Sequence, residues 1–226
     1  MLRTIKEVRE ALPSANNNQR NWDLSKSIPD EHLQLFKQVV FDSPRYENNT
    51  YYNVHFILNR ELIEKIYHCS AGSGPATSHP KMGGTPATDD DAKEPQLLAN
   101  LLVVFENNID HGNFIGGGAD SGNTADMINT QKVSDDRLLA IGNATGMLVA
   151  YATQLGYKTG YNICDHNDES KWRIKHIMEI SEDPYYILSI GHGNESVDHG
   201  RDHNDRNIRY GKNRRVMPLG QIKVWE

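Results

Sequence analysis

The chain has 226 residues, of which 37% are hydrophobic and 24% charged, and a formal net charge of −6. This length fits one compact domain with a sizeable core better than two domains, and the composition is not that of a disordered chain. The negative net charge argues against a nucleic-acid binder, because such proteins carry a basic surface.

The cysteines and the apolar segments indicate the compartment. Two cysteines, Cys69 and Cys164, are too few for the disulfide framework of a small secreted protein, so we expect free thiols. The segment Met1 to Leu12 alternates charged and apolar residues, unlike a signal peptide. The longest apolar stretch, Leu138 to Ala152, is interrupted by glycines and polar residues, and is therefore a poor membrane span. We expect a cytoplasmic protein with no membrane partner.

Two helices are predicted in the first part of the chain. Thr4 to Leu12 is amphipathic and is ended by Pro13. A second helix starts at Pro29, since proline suits a first turn, and Asp42-Ser43-Pro44 ends it. The second helix is predicted to bury one face, made of Leu33, Phe36, Val39 and Val40.

The middle of the chain alternates predicted elements with long loops. Tyr51 to Leu58 is predicted as a strand, followed by a helix from Arg60 to His68. Residues 70–95 are rich in Gly, Pro, Thr and Asp and are predicted as a long loop. The apolar run Leu97 to Phe105 is consistent with a buried strand or a helix end leading into one, and residues 107–131 with a second loop.

A long central helix is predicted next. Ser134 suits the N-cap, and Asp135 beside it suits the positive end of the helix. The helix runs to Leu155 and ends at Gly156; it is apolar on most sides, so we expect it to be buried. Small residues would allow another backbone to approach it closely, either within the chain or in a dimer: Ala140, Gly142, Ala144 and Gly146.

The remaining elements favour an α+β class. Lys158 to Cys164 is predicted as a strand, Glu169 to Ile180 as a helix and Tyr185 to Ile190 as a strand. A polar loop, 192–215, and a short strand, Gln221 to Trp225, follow. Helices and strands are mixed without regular βα alternation, which favours α+β over a doubly wound sheet.

Three stretches of the sequence, in order, resemble the nitroreductase family. The first runs from Arg20 to Glu31 and continues, after a helix, with Ser43-Pro-Arg-Tyr-Glu-Asn-Asn, similar to the family's basic segment and Ser-Pro loop. The second, Ala140 to Gly160, resembles its central helix and the next strand. The third, Tyr186 to Gly193 followed by Lys212-Asn-Arg-Arg-Val-Met-Pro, resembles its closing segment. No single motif is specific, and the agreement of three in order carries the resemblance.

The resemblance implies a fold and a reaction. It implies one nitroreductase-like domain over residues 1–226, with a central mixed or antiparallel sheet flanked by helices and a variable lid over about 70–132. It also implies an intertwined homodimer with two FMN sites, each lined by both chains. NADH or NADPH would give hydride to FMN, and a small acceptor such as a nitroaromatic or a quinone would then replace it, in a ping-pong reaction. Since the cofactor carries the redox chemistry, no side-chain acid or nucleophile is expected.

The resemblance also assigns cofactor-binding residues. A buried phosphate needs cations, and arginine binds it bidentately. Ahead of the last basic residue of this segment the family usually has an arginine and a serine, whereas this chain has Asn16 and Asn18. Arg45, where the family often has serine, is a candidate to restore the missing charge. The residues expected at the phosphate are Asn16, Asn18, Arg20, Lys212, Arg214 and Arg215.

The flavin ring is expected to lie against two segments. Asn48 would bond the pyrimidine edge of the ring, and the strand after the central helix would cover one face and offer backbone N–H groups toward N5. The family often has Glu-Gly where this chain has Ile163-Cys164, so a carboxylate role is excluded there. The residues expected at the ring are Pro44, Arg45, Tyr46, Asn48, Tyr161, Asn162, Ile163 and Cys164.

Two alternative functions remain open at this level. The loop from His192 to Asp205 holds histidines and aspartates that could bind a transition metal. Their spacing matches no closed zinc pattern, so a solvated polar loop is the favoured interpretation of this segment. A flavin-binding relative of the reductases without NAD(P)H activity is the other alternative.

Overall fold

The computed structural model describes residues 5–7, 19–45, 52–70, 94–108, 124–163 and 168–194, and only the backbone of 124–134, 163, 168 and 169. Residues 5–7 are helical, in agreement with the first predicted helix, and the rest of that helix lies outside the described residues.

Two helices near the start of the described chain bury one face each. Helix α1, Asp30–Phe41, follows Pro29 and buries the four predicted residues Leu33, Phe36, Val39 and Val40. Helix α2, Arg60–Cys69, is capped by Asn59, whose side chain accepts a hydrogen bond from the Leu62 N–H at 3.0 Å. Both predicted helices are therefore confirmed, α2 being one residue longer than expected.

The strands form one antiparallel sheet. They are β1 (Tyr52–Ile57), β2 (Leu101–Asn107), β3 (Lys158–Ile163) and β4 (Pro184–Gly191), in the spatial order β1-β2-β4-β3. A 3₁₀ helix, η1 (Pro95–Leu98), precedes β2, so the second alternative for the apolar run is correct. The described part of the chain has the antiparallel sheet and separate helices of an α+β protein, as predicted.

Helices cover both faces of the sheet, because β2 is apolar on both. Leu101, Val103 and Phe105 face α1 and the long helix α3, Thr124–Gln154. Leu102 and Val104 face α2, η1 and a helix after β3, α4 (Asp168–Met178). The core is thus two layers of side chains, one on each face of β2 and β4.

The start of the long helix differs from the sequence prediction. The α3 backbone is helical from Thr124, so the loop predicted for 107–131 is wrong over 124–131, and Ser134 lies inside the helix instead of capping it. A serine within a helix costs only a few tenths of a kcal/mol, so its capping preference is a weak boundary signal. Residues 71–93 and 109–123, which make up most of the predicted lid, lie outside the described residues.

The end of α3 is as predicted. Gly156 has a φ of +87°, its N–H donates to Thr153 O at 3.1 Å, and the Tyr157 N–H donates to Ala152 O at 2.9 Å. These two bonds are the Schellman motif, which requires a left-handed residue and therefore favours glycine.

The long helix is not buried on most sides, which corrects another expectation. One face, with Ala140, Ala144 and Leu148, packs into the core. On the other face Leu139 is 65% exposed, and a Cβ built on Gly142 or Gly146 would have no described residue within 4 Å. The apolar residues of α3 therefore lie on two faces, of which only one is covered by the described residues.

No helix in the described part of the chain is both long enough and apolar enough to cross a membrane. The last predicted strand, Gln221 to Trp225, lies outside the described residues.

Candidate functional site

The segment 19–28 is fixed at one end of the sheet, which we call the Gly191 end. Its strand residues are Ile57, Leu101, Lys158 and Gly191. The Gln19 N–H donates to Thr159 O at 2.9 Å, and Trp22 forms a β-bridge with Gly193. The buried Trp22 indole N–H donates to Pro95 O at 3.1 Å. These contacts hold the first basic segment along the start of β3.

The Asn100 side chain joins the segment 19–28 to the residue that follows β4. Its Nδ2 donates to Asp23 O at 3.0 Å and to Lys26 O at 2.8 Å, and its Oδ1 accepts from the His192 N–H at 2.9 Å. Gly191 lies against it, and a Cβ there would overlap Asn100 Oδ1. This role of Asn100 is not predictable from the sequence, because a single Asn in an apolar run carries no recognisable pattern.

Arg20 lies within this fixed segment, directly after Gln19. Its side chain is partly buried, and its Nε is buried without a hydrogen-bond acceptor among the described residues. A buried guanidinium N–H without an acceptor is costly, and a bound anion would satisfy it. An oxyanion fits this donor by charge and geometry.

The acidic group nearest to Arg20 in the segment is already engaged. Asp23 accepts a hydrogen bond from Ser25 Oγ at 2.5 Å and pairs with Lys26 Nζ at 3.0 Å. The Ser25 and Lys26 side chains lower the pKa of Asp23 to about 2. Asp23 is therefore ionised at neutral pH, and Lys26 balances its charge.

Three aromatic side chains meet beside the segment 19–28. His32 Nδ1 lies 2.7 Å from Tyr157 Oη, and the His192 ring lies 4.9 Å from the Tyr157 ring. Burial, together with the charge of Glu31, raises the pKa of Tyr157. Tyr157 is thus a neutral hydrogen-bonding group that joins α1 to the end of α3.

Ser43, Pro44 and Arg45 lie at the opposite end of the sheet, which we call the Tyr52 end. Its strand residues are Tyr52, Asn107, Ile163 and Pro184. Ser43 Oγ donates to Val40 O at 2.8 Å and lies 3.3 Å from Tyr52 Oη. Asn143 Nδ2 donates to Pro44 O at 3.2 Å and ties this segment to α3. Asn143 was not expected at the site, since it was considered only as part of the central helix.

Arg20 and Arg45 lie far apart within one chain. Arg20 is next to the start of β3, whereas Arg45 is beyond the end of α1, a helix of 12 residues. At 1.5 Å per residue, that helix alone is about 18 Å long. Within one chain, Arg45 therefore cannot supply charge to a phosphate held by Arg20.

Strand β3 lies at an edge of the described sheet. Gln96 Nε2, buried in η1, donates to Tyr161 O at 3.3 Å, and Asn162 pairs in register with Ile187 of β4. The predicted residues Tyr161, Asn162 and Ile163 are thus in a strand, as expected. Gln96 is a further residue that the sequence analysis missed, since nothing in its pattern distinguishes it from the surrounding core.

Several predicted site residues cannot be placed. They lie outside the described residues: Asn16, Asn18, Tyr46, Asn48, Cys164, Lys212, Arg214 and Arg215. The alternative metal loop, His192 to Asp205, is described only up to residue 194. Its first residue, His192, has its Nε2 atom 3.3 Å from Ser27 O. In the described part of the chain, no group of three or more His, Cys, Asp or Glu side chains could hold a metal.

Solved structures share this fold. The chain is similar to a nitroreductase with bound FMN from Bacteroides fragilis (TM-score 0.56, 14% identity, 97% of this chain and 99% of the other). It is also similar to a Staphylococcus epidermidis protein assigned as an NAD(P)H:FMN oxidoreductase (TM-score 0.56, 15% identity, 87% and 92%). A third is an FMN-dependent nitroreductase from Clostridium difficile (TM-score 0.50, 12% identity, 87% and 92%). No family model and no curated protein matches the sequence. The chain therefore has the nitroreductase-like fold suggested by its sequence.

Proposed function

We propose that this chain is an FMN-dependent oxidoreductase of the cytoplasm, active as a homodimer. It passes hydride from NADH or NADPH to a small acceptor such as a nitroaromatic or a quinone. The observation that carries the proposal is a fold shared, over 97% of this chain, with a nitroreductase that binds FMN. General flavin-dependent redox chemistry is common to the similar structures; the donor and the acceptor are our inference.

Arg20 fits the cofactor. FMN carries a phosphate dianion, which needs charged donors when it leaves water. The buried Arg20 Nε has no acceptor among the described residues, and its segment is held in place by Trp22 and Asn100. A fixed cation with an unused N–H at the place of the family's basic segment supports phosphate binding there.

The chain would position the cofactor while the cofactor performs the redox step. Bound FMN supplies an atom, N5, that accepts hydride from a nicotinamide and gives it to an acceptor. Arg20 would hold the phosphate. The backbone of Tyr161 to Ile163 would lie against the ring. The Gln96 side chain holds this strand by a hydrogen bond to Tyr161 O. None of these roles requires a side chain that gains or loses a proton.

The separation of the two predicted binding segments supports a site built from two chains. Arg20 is at the Gly191 end, and Ser43 to Arg45 are at the Tyr52 end. Within one chain the whole of α1 lies between the two segments, whereas segments from two chains can meet one flavin at a dimer interface. The uncovered face of α3, with Leu139, Gly142 and Gly146, offers apolar surface and close approach for such a partner.

The proposal is tested first by purifying the protein without added cofactor. We expect a yellow protein that releases about one FMN per chain and oxidises NADH or NADPH when nitrobenzoate or a quinone is supplied. A colourless protein that takes up no added FMN would refute the proposal. A protein that holds FMN but oxidises neither nicotinamide would be a flavin binder and not a reductase.

A further inference from the structure

Arg45 is a fixed cation to which the proposed function assigns no ligand of its own. Its Nη2 donates to Phe41 O at 2.8 Å, at the C-terminal end of α1. There the helix carries partial negative charge, which a cation stabilises. The bond also restrains a side chain that would otherwise sample many rotamers. The guanidinium is thus pre-organised on the protein surface.

A second donor of Arg45, its Nε, points to a ligand. This Nε is buried and has no acceptor among the described residues, and no described carboxylate pairs with the side chain. The backbone before it is held by two other elements, through Asn143 on Pro44 O and through Ser43 near Tyr52. A buried, unpaired N–H of a held guanidinium is matched by an oxyanion, which can accept two parallel hydrogen bonds.

Two exposed apolar side chains lie on the helices that hold the segment of Arg45. Phe41, whose carbonyl accepts from Arg45, is 70% exposed, and Leu139 is 65% exposed. Leu139 lies one helical turn before Asn143, the residue that holds Pro44. A cation beside exposed apolar surface suits a ligand with an anionic group on an apolar or aromatic body.

We propose that Arg45 determines acceptor specificity by binding a carboxylate, so that the enzyme prefers aromatic acceptors that carry one. This inference rests on the proposed function, in which Arg45 of one chain lies at the site that Arg20 of its partner completes. Arg45 is remote from Arg20 in its own chain, so its anion is not the phosphate that this Arg20 would hold. The FMN phosphate held by Arg20 of the other chain is the competing anion, and the binding measurement below separates it from a carboxylate.

A matched pair of acceptors tests the preference. 4-Nitrobenzoate and 4-nitrobenzamide have nearly the same shape and differ in charge. We expect kcat/KM to favour the benzoate in the natural protein, and Arg45→Gln to lower this preference about tenfold to a hundredfold, as for loss of a charge-assisted hydrogen bond. Lys37→Gln, which removes an exposed charge from α1, should leave the preference unchanged. An unchanged ratio in Arg45→Gln would overturn the proposal.

A binding measurement separates this inference from the proposed function. Calorimetric titration of the purified protein with benzoate requires no turnover. We expect benzoate to bind to the natural protein and to bind at least tenfold more weakly to Arg45→Gln. Its affinity for Arg45→Lys should be intermediate, because lysine keeps the charge but lacks the planar guanidinium. Arg45-dependent benzoate binding in a protein that lacks FMN would refute the reductase and keep the anion site. Benzoate binding that ignores Arg45, or no binding in an active FMN enzyme, would refute the anion site alone.

Discussion

Arg20 is the single residue on which the flavin site can be tested most directly. Arg20→Gln removes the charge and keeps a similar length. If the buried guanidinium holds the FMN phosphate, the dissociation constant for FMN should rise about tenfold to a hundredfold, because a charge-assisted hydrogen bond is lost. Titration of the apoprotein, followed by flavin fluorescence, measures this. Lys26→Gln in the same segment is the control, since Lys26 pairs with Asp23. Equal affinities in Arg20→Gln and the natural protein would contradict the assignment.

Glu106 is a second residue with a measurable effect, this time on stability. Its carboxylate is 2% exposed, lies 2.7 Å from His55 Nε2, and accepts from Ser181 Oγ at 2.9 Å and from the Glu182 N–H at 2.6 Å. Burial alone would raise the pKa of Glu106, but these hydrogen bonds outweigh burial and lower it. The group joins β1 and β2 to the turn between α4 and β4.

The sign of the pH effect follows from that lowered pKa. Between the folded pKa and the ordinary glutamate value, the unfolded chain binds more protons, so stability falls as the pH drops through this window. Glu106→Gln should destabilise the protein by about 1–3 kcal/mol at pH 7, and the difference should shrink below about pH 4. Urea unfolding of both proteins at pH 7 and below about pH 4 measures this difference in the free energy of unfolding. Glu64→Gln, in the exposed pair with Arg60, should cost less than about 1 kcal/mol at either pH. A Glu106→Gln effect that persists undiminished at low pH would contradict the argument.

At the scale of elements, the contact between β4 and the segment 19–28 depends on a glycine. A Cβ on Gly191 would overlap Asn100 Oδ1 and lie 3.0 Å from Trp22 Cε3. Asn100 is held by three hydrogen bonds and cannot easily move. Gly191→Ala should therefore lower the free energy of unfolding by about 2–4 kcal/mol, as for overpacking that breaks a buried network.

Gly193→Ala is the matched comparison. A Cβ there meets the Gln19 amide at 2.8 Å and Lys158 Cγ at 2.9 Å, both on flexible side chains. Its cost should stay below about 1.5 kcal/mol, because these neighbours can shift. Chemical unfolding of the two variants gives the comparison, and similar losses for both would show that Asn100 is not the rigid partner we describe.

At the scale of the whole molecule, the uncovered face of α3 predicts a dimer. Gly146 lies on this face, and a Cβ added to it would have nothing within 4 Å among the described residues. Gly146→Glu should stabilise the helix of the single chain by up to about 1 kcal/mol, because glycine is a poor helix former. The same change places a bulky charge in the dimer contact. We expect the natural protein to be a dimer in light-scattering measurements and Gly146→Glu to be a folded monomer with weakened FMN binding.

Trp172 gives the control for this prediction. It lies on α4, across the sheet from α3, and is 54% exposed. Trp172→Glu introduces the same charge at an exposed apolar position and should leave the dimer intact. A dimer that survives Gly146→Glu and dissociates with Trp172→Glu would place the interface on the other side of the sheet.

The sequence by itself determined the elements whose patterns are local. Pro29 and the buried positions of α1, the start of α2 at Arg60 and the end of α3 at Gly156 were all predicted and confirmed, because capping, glycine conformation and helical periodicity act within a few residues. The nitroreductase-like fold followed from three weak motifs in a consistent order. The start of α3 was wrong, since the preference of Ser134 for a cap is weaker than the tendency of a formed helix to continue.

Only the tertiary structure decided which side chains meet. Arg20 and Arg45 look interchangeable as cations in the sequence, yet they lie at opposite ends of the sheet, because α1 runs between their segments. The roles of Asn100 and Gln96 likewise follow from partners 77 and 65 residues away, Asp23 and Tyr161. Local pattern reflects the conformation of the backbone, whereas a binding site depends on long-range packing that brings distant segments together.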